Sequence, residues 1–305
     1  MIRTQTVAVS ALLLAACAVP QAVHGQEAAP APYAGIDLAA YLDCARTQRV
    51  TLLQAHRAGD RPGAAENSLA ALNASLRDGA VFIEIDVART ADGVLILMHD
   101  DTLDRTTTGS GPIDGLTFAA LADLELVDVD GQPTGETVPT LADALAALDG
   151  RGIAQIDRKR PTRFEEIADV LEAEGAADRA VVITYTLEDA IALHQRLPDV
   201  MISVGLRDQG DVQTLTDAGV DLTRIQAWLG LGAGNPDWDA ELTRLGIETS
   251  YGDFRGERNG TADYALMARN GAEVISVDDV PAAAAALDAA ATADALLAAC
   301  PAARP

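Results

Sequence analysis

The chain has 305 residues, of which 49% are apolar and 4% aromatic, and its formal charge is -24 with a pI near 4.3. This length suits one large α/β barrel or two ordinary domains, and the apolar content supports a sizeable core. So acidic a chain excludes nucleic acid as a partner and opposes charge-driven docking on anionic lipid, because both need a basic surface.

The first 25 residues have the pattern of a signal peptide. Arg3 precedes an apolar run over 7–19 that is too short to span a bilayer as a permanent helix. Leu14-Ala15-Ala16-Cys17 resembles a bacterial lipobox, in which Cys17 is lipidated after cleavage. The alternative is soluble export with cleavage after Gly25. Residues 26–45 are then interpreted as a tether, and the protein is expected to be periplasmic or anchored to the membrane through Cys17.

Two further cysteines, Cys44 and Cys300, remain in the exported chain. An even pair in an oxidising compartment favours a disulfide. The two lie near opposite ends of the mature chain, and a closed barrel brings its first and last elements together. A Cys44–Cys300 disulfide is therefore the favoured interpretation, and two free thiols are the alternative.

Nine short apolar runs alternate with amphipathic segments over 46–290, which we predict to form one domain. Most runs are rich in Val and Ile and lack strict alternation, as is typical of strands buried on both faces. The candidate strands are residues 50–55, 81–87, 94–99, 153–157, 180–185, 201–206, 224–228, 246–250 and 273–277. Repeated strand and helix predict a parallel sheet, and the length favours a (β/α)8 barrel. One candidate must lie outside it, and 224–228 and 246–250 are the weakest.

The segments between the strands carry readable helix signals. Leu69, Leu72 and Leu76 recur at helical spacing, and Gly79 is predicted to end that helix. The stretch over about 101–140 breaks the alternation after the third candidate strand, so we predict a small insertion there. An alanine-rich final helix is expected over residues 282–299, ending at Cys300-Pro301, and residues 291–305 are assigned as the C-terminal tail.

Charged and imidazole side chains follow the first four candidate strands. In chain order they are His56 and Arg57, Glu84 and Asp86, His99 and Asp100, and Asp157 and Lys159. Glu84 and Asp86 are two residues apart and so face the same side of a strand, where they repel unless a cation or protons join them. Histidine transfers protons near neutral pH, arginine binds phosphate, and paired carboxylates hold a hard divalent cation. The pattern predicts a metal-assisted phosphodiester hydrolase.

In this order and spacing, the motifs resemble the glycerophosphodiester phosphodiesterase family. That family has His-Arg-Gly, Glu-Asn-Thr, Glu-x-Asp, His-Asp and Glu-x-Lys. The corresponding residues here are His56-Arg57-Ala58, Glu66-Asn67-Ser68, Glu84-Ile85-Asp86, His99-Asp100 and Asp157-Arg158-Lys159. The match is dense from about residue 50 to 160 and sparse beyond.

Three departures from the family pattern stand out. Ala58 replaces the usual glycine, and Asp157 replaces the usual glutamate with a shorter arm. The family's late tryptophan motif is not visible, and Tyr251 and Phe254 are the candidates to occupy that area. The last departure affects the pocket for the alcohol.

The resemblance implies a (β/α)8 barrel with a small insertion after the third strand, and it assigns roles by position. The implied general base and acid are His56 and His99; the phosphate-binding residues are Arg57 and Lys159; the ligands for Ca²⁺ or Mg²⁺ are Glu84, Asp86 and Asp157; the supporting residues are Glu66, Asn67 and Asp100.

The expected reaction is metal-dependent hydrolysis of a small-molecule glycerophosphodiester to an alcohol and glycerol 3-phosphate. Direct attack by water and attack by a glycerol hydroxyl, which would give a cyclic phosphate, are equally compatible with these residues. The rival readings are a phospholipase-type phosphodiesterase that acts on intact lipid, and a non-catalytic, Ca²⁺-stabilised envelope lipoprotein.

Overall fold

The computed structural model describes residues 31–232 and 234–300. Its strands are β1 Leu52–Ala55, β2 Phe82–Arg89, β3 Leu95–Leu97, β4 Glu125–Val127, β5 Pro133–Thr137, β6 Ile153–Arg158, β7 Ala180–Thr184, β8 Met201–Gly205, β9 Ile225–Leu231, β10 Glu248–Gly252 and β11 Val274–Val277. Eight of them form a parallel barrel in the order β1, β2, β6, β7, β8, β9, β10, β11, and β1 closes it by pairing with both β2 and β11. The predicted (β/α)8 barrel is confirmed.

Helices follow the barrel strands and cover the outside of the barrel. They are α1 Leu38–Gln48, α2 Leu69–Asp78, α3 Leu141–Leu148, α4 Phe164–Ala173, α5 Leu187–Arg196, α6 Gln209–Asp217, α7 Pro236–Leu245, α8 Phe254–Arg258, α9 Tyr264–Arg269, α10 Val280–Leu287 and α11 Ala289–Ala299. The predicted end of α2 is observed, because Gly79 ends the helix at φ 102°. Its first residue is preceded by Ser68, whose side chain accepts from the Ala71 N–H.

The candidate strand outside the barrel is 94–99, whereas the two weakest candidates are the barrel strands β9 and β10. Residues Leu95–Leu97 pair antiparallel with the end of β2, with Val87 opposite Leu97. The reason is a tight turn after β2, where the Gly93 N–H donates to the Thr90 carbonyl and Gly93 has φ 87°. Because the chain reverses there, β3 forms a short antiparallel arm on the end of β2, and His99 follows this arm and not a barrel strand.

The predicted insertion lies between this arm and α3. Its β4 and β5 form an antiparallel pair of their own. It has a separate apolar cluster that includes Met98, Leu103 and Leu126, each at most 2% exposed. The insertion is therefore a small packed unit attached beside β2.

The N-terminal end of the barrel is covered by α1. Leu38, Tyr41 and Leu42 are fully buried and pack with the first residues of barrel strands, among them Leu52 and Phe82. The predicted tether over 26–45 is therefore wrong for its second half, because these apolar side chains fill the open end of the barrel. The signal-peptide and lipobox predictions, over residues 1–25, lie outside the described residues.

The predicted final helix is observed as two helices, α10 and α11. Ala293 and Leu296 of α11 pack against the same apolar cluster as α1, so residues 291–299 belong to the domain and not to a tail. Across residues 31–232 and 234–300 the structure has no single helix long and apolar enough to cross a membrane. The pair α10 and α11 meets those criteria when taken together, but its two helices are bent by 58°.

The structure joins Cys44 in α1 to Cys300, directly after α11, by a disulfide, with Cα atoms 6.1 Å apart. Because the bond joins residues 256 positions apart, it removes a large amount of loop entropy from the unfolded chain. We expect the Cys44→Ser/Cys300→Ser variant to lose about 2–5 kcal/mol of unfolding free energy. Urea unfolding measures this, and an unchanged urea midpoint would contradict it. Hydrolytic activity at 25 °C is the control and should persist.

Glu273 is a buried carboxyl group remote from the proposed chemistry. It is 2% exposed and accepts the Thr249 N–H at 2.7 Å. Burial raises the pKa of Glu273 to about 8, despite that hydrogen bond, and nearby Asp239 and Glu248 raise it further. The folded chain therefore holds this proton more tightly than the unfolded chain, whose glutamate pKa is near 4.5.

We therefore expect the stabilisation from this proton to be complete below pH 4.5 and to be lost as the pH rises through about 8. In urea unfolding at pH 8.5, Glu273→Gln should be more stable than wild type by about 4 kcal/mol. At pH 5 the two should nearly coincide. The exposed Glu188→Gln is the control, and an equal difference for Glu273→Gln at both pH values would contradict the prediction.

Candidate active site

The carboxyl ends of β2 and β6 bring three buried carboxylates together. Glu84 and Asp86 face the same side of β2, and Asp86 is the register partner of Asp157 on β6. Each residue offers one ligand oxygen, and these oxygens lie within 4.8 Å of one another. All three residues are at most 7% exposed. The sequence-predicted metal ligands are thus placed in one cluster.

Lys159 neutralises part of this negative charge. Its Nζ lies 2.8 Å from Asp86 Oδ1 and 2.6 Å from Asp157 Oδ2. Burial alone would lower the pKa of Lys159, but the two carboxylates raise it, so the ammonium stays charged. The Tyr185 hydroxyl lies 2.7 and 2.8 Å from the two Asp157 oxygens and donates to them. The shorter Asp157 arm is therefore held in place from two sides.

Of the three carboxylates, Glu84 is the one without an ion pair to Lys159. Its Oε2 accepts the Arg57 N–H at 2.7 Å and lies 4.0 Å from His56 Nε2. Burial, followed by the charge of Asp86, raises the pKa of Glu84. Three buried carboxylates with incomplete neutralisation fit a divalent cation, and an all-oxygen ligand set suits Ca²⁺ or Mg²⁺.

Asn67 and Arg57 hold the cluster from the loop side. The Asn67 side chain donates to Asp86 Oδ2 at 2.7 Å and accepts the Asp86 N–H at 2.9 Å. Arg57 has a left-handed backbone, with φ 51°, and its Nη1 lies 3.4 Å from Glu66 Oε2. Its buried Nε has no hydrogen-bond partner and lies 3.8 Å from Asp86 Oδ2. Arg57 therefore still has a donor to offer an anion at this site.

His56, directly after β1, is oriented by two partners. Its Nδ1 lies 2.7 Å from Asp278 Oδ1, and its ring stacks on Phe254 with centroids 4.3 Å apart. Burial lowers the pKa of His56, but the hydrogen bond to Asp278 and the charge of Glu84 outweigh it, and the net shift is upward. Because a carboxylate only accepts, Nδ1 carries a proton and Nε2 is the nitrogen left to exchange one.

His99 reaches the site through a chain of charged groups. Its Nδ1 lies 2.7 Å from Asp100 Oδ1, and Asp100 accepts two further bonds from Arg105. The Arg105 guanidinium holds the pKa of Asp100 well below its usual range. Arg105 also binds Glu66 at 2.6 and 2.8 Å, and Glu66 contacts Arg57. The three predicted supporting residues thus orient His99, Arg57 and Asp86.

Sequence reasoning missed three contacts in the site. Asp278 directly follows β11 and Tyr185 directly follows β7, so the rule that barrel sites lie at the carboxyl ends of strands could have found both. Arg105 gave no comparable signal. Of the two aromatic candidates for the late motif, Phe254 reaches His56, whereas Tyr251 is buried and donates to the Met267 carbonyl.

Two adjoining cavities open at this end of the barrel. The wider one, about 540 Å³, is lined by His56, Arg57, Phe254 and Asp278, among others. The deeper one, about 310 Å³, shares His56 and Phe254 and continues past Glu84 into the barrel. The cluster therefore lies at the boundary between an open mouth and an internal cavity.

Comparison with known proteins finds relatives in sequence and in structure. Residues 56–183 match the glycerophosphoryl diester phosphodiesterase family. The Mus musculus protein named glycerophosphodiester phosphodiesterase 1 is 31% identical over 166 residues, which are 53% of this chain and 47% of that protein. The chain thus aligns with about half the length of this relative.

Solved structures share the whole fold. A glycerophosphoryl diester phosphodiesterase from Parabacteroides distasonis superposes with a TM-score of 0.72 at 25% identity, covering 78% of this chain and 86% of that one. A phosphodiesterase from Oleispira antarctica, in complex with the product sn-glycerol-3-phosphate, superposes with a TM-score of 0.63 at 21% identity, covering 80% and 99%. Together with the matched motifs, these findings support membership of the glycerophosphodiester phosphodiesterase family, whose model matches residues 56–183 and whose solved structures share the barrel.

Proposed function

We propose that this protein hydrolyses glycerophosphodiesters to an alcohol and sn-glycerol 3-phosphate with the help of a divalent cation. The observation that carries the proposal is the buried Glu84, Asp86 and Asp157 cluster beside His56, at the carboxyl end of the barrel. The names of the relatives and the product bound to the Oleispira antarctica enzyme support the same substrate class.

The three carboxylates would hold Ca²⁺ or Mg²⁺, which supplies positive charge for the phosphoryl oxygens when bound. Arg57 offers its buried, unpartnered Nε to the same phosphate. Lys159 stays charged between Asp86 and Asp157 and lowers the repulsion that a phosphate would meet there. These side chains bind and orient the substrate without changing their own protonation.

His56 and His99 are the groups proposed to move protons. Each has its Nδ1 held by an aspartate at 2.7 Å, so each presents Nε2 for proton exchange. In-line displacement at phosphorus needs one group to remove a proton and another to deliver one on the opposite side. The two His–Asp pairs are matched to these two tasks.

The direct test is release of glycerol 3-phosphate from glycerophosphocholine by the purified mature chain, with EDTA, Ca²⁺ and Mg²⁺ compared. We expect release with one or both metals and none with EDTA. A His56→Asn/His99→Asn preparation controls for contaminating phosphodiesterases. No release with any metal would contradict the proposed function, and release only from intact phospholipid would replace it with a phospholipase activity.

We further propose that the protein is exported, either soluble or anchored through Cys17. The signal-like pattern of residues 1–25 supports this, and a disulfide is typical of an oxidising compartment. Fractionation of cells that express the full chain tests it: the protein should leave the cytoplasm. If it is anchored to the membrane through Cys17, the Cys17→Ser variant should move to the soluble fraction. A wholly cytoplasmic chain would contradict the proposal.

A further inference from the structure

The deeper cavity has a polar floor where a barrel interior is commonly filled by branched apolar side chains. The floor consists of Gln54, Gln155, Ser203 and Ser276, each at most 2% exposed. Gln155 stands two residues before Asp157 on β6, and Gln54 and Ser276 stand two residues before His56 and Asp278, which directly follow β1 and β11. Side chains two apart on a strand face the same side, so Gln155 lies beside Asp157, and all four floor residues line the cavity together with Glu84 and Asp157.

Two atoms of the polar floor lack partners. The Gln54 Nε2 donates to Ser276 Oγ at 3.2 Å, but the Gln54 Oε1 has no hydrogen-bond partner. The Gln155 Oε1 also has none, although that residue is 1% exposed. Buried polar atoms are normally paired, because an unpaired one loses its hydration without compensation. Both amides line the cavity, which therefore calls for a ligand that offers hydrogen-bond donors.

We propose that the polar floor binds the free hydroxyl groups of the substrate's glycerol and thereby selects deacylated phosphodiesters; this inference rests on the proposed function. Hydroxyl groups both donate and accept, and so match the amides and serines of the floor. An acyl chain offers no donor and would leave the two amide oxygens unpaired.

The test compares two diesters in the isosteric variants Gln54→Met and Gln155→Met. Glycerophosphocholine carries hydroxyls only on its glycerol, and bis(p-nitrophenyl) phosphate carries none. We expect each variant to lower kcat/KM for glycerophosphocholine about tenfold, mainly through KM, and the double variant about 100-fold. For bis(p-nitrophenyl) phosphate, kcat/KM should change by no more than about threefold, because this diester has no hydroxyl group to bind to the polar floor.

Gln226→Met is the matched control. Gln226 is fully buried, its amide is also unpartnered, and it is the register partner of Ser203, but it is not among the described residues that line the cavity. The kcat/KM of this variant should equal that of wild type for both diesters. Equal losses on both diesters in Gln54→Met and Gln155→Met would overturn the inference, as would losses that Gln226→Met reproduces.

A binding measurement separates this inference from the proposed function. In calorimetry, Gln155→Met should weaken sn-glycerol 3-phosphate about tenfold and leave inorganic phosphate unchanged. Wild-type failure to cleave glycerophosphocholine would remove the proposed reaction, yet this difference would still show hydroxyl recognition. Equal weakening of both ligands, or of neither, would overturn the polar floor as a glycerol site even if wild type hydrolyses the diester. Thermal unfolding of each variant checks that the fold is retained.

Discussion

Replacing Asp86 with asparagine is expected to lower kcat/KM for glycerophosphocholine by about 10³-fold or more, because several interactions of the site meet at this carboxylate. Asp86 binds Lys159, accepts from Asn67 and belongs to the cluster proposed to hold the cation. The substitution keeps the shape of the side chain and removes its charge. Activity should therefore be lost through weaker cation binding and a misplaced Lys159, while the barrel remains folded.

The measurement pairs hydrolysis with Ca²⁺ and Mg²⁺ titration by calorimetry, and cation affinity should fall together with activity. Asp101→Asn is the control, because Asp101 is exposed on the loop beyond His99. It should change neither quantity by more than about twofold. A variant at Asp86 that hydrolyses the substrate at near the wild-type rate would show that the proposed cluster has no part in catalysis.

Replacing His56 with asparagine is the second large effect, expected to reduce kcat by about 10³-fold because a proton-transfer group is removed. The change should leave cation affinity nearly intact, since His56 Nε2 lies 4.0 Å from Glu84 and is not one of the three ligands. Retained cation affinity distinguishes His56→Asn from Asp86→Asn, in which cation affinity should fall. Unchanged kcat in the His56 variant would place the proton transfer elsewhere.

Asp278 provides an internal check on that result. Asp278→Asn alone should reduce kcat about 10- to 100-fold, because Nδ1 of His56 loses its carboxylate partner. Groups that act as a unit are not additive, so His56→Asn/Asp278→Asn should be no slower than His56→Asn. Fully additive losses would show that Asp278 acts independently of His56.

The sequence predicts the barrel and the core of the site because both depend on local patterns. Glu84 and Asp86 share a strand face by their spacing alone, and their position at the end of an apolar run places them at the mouth. The partner of His56 does not follow from any local pattern, since Asp278 lies 222 positions from it along the chain. Only closure of the barrel, through pairing of β1 with β11, makes the two neighbours.

The predictions about the fold that are wrong concern segments whose place depends on tertiary structure. Residues 94–99 are as apolar as a barrel strand, and the turn before them decides that they fold back on β2. The helix α1 follows an Ala- and Pro-rich segment, and nothing in its local sequence shows which surface it would cover. Its place is determined by the open end of the barrel, which Tyr41 and Leu42 fill.

The disulfide between Cys44 and Cys300 turns nearly the entire described chain into a covalent ring. A protease that cuts this ring once, for instance at the exposed turn of Val129, Asp130 and Gly131, would linearise it without releasing a fragment. Such a nicked molecule would migrate as one species until reduced and then as two. In its connectivity this molecule would resemble a circular permutant. It would have new termini in the insertion, and its original ends would still be joined by the disulfide beneath the barrel.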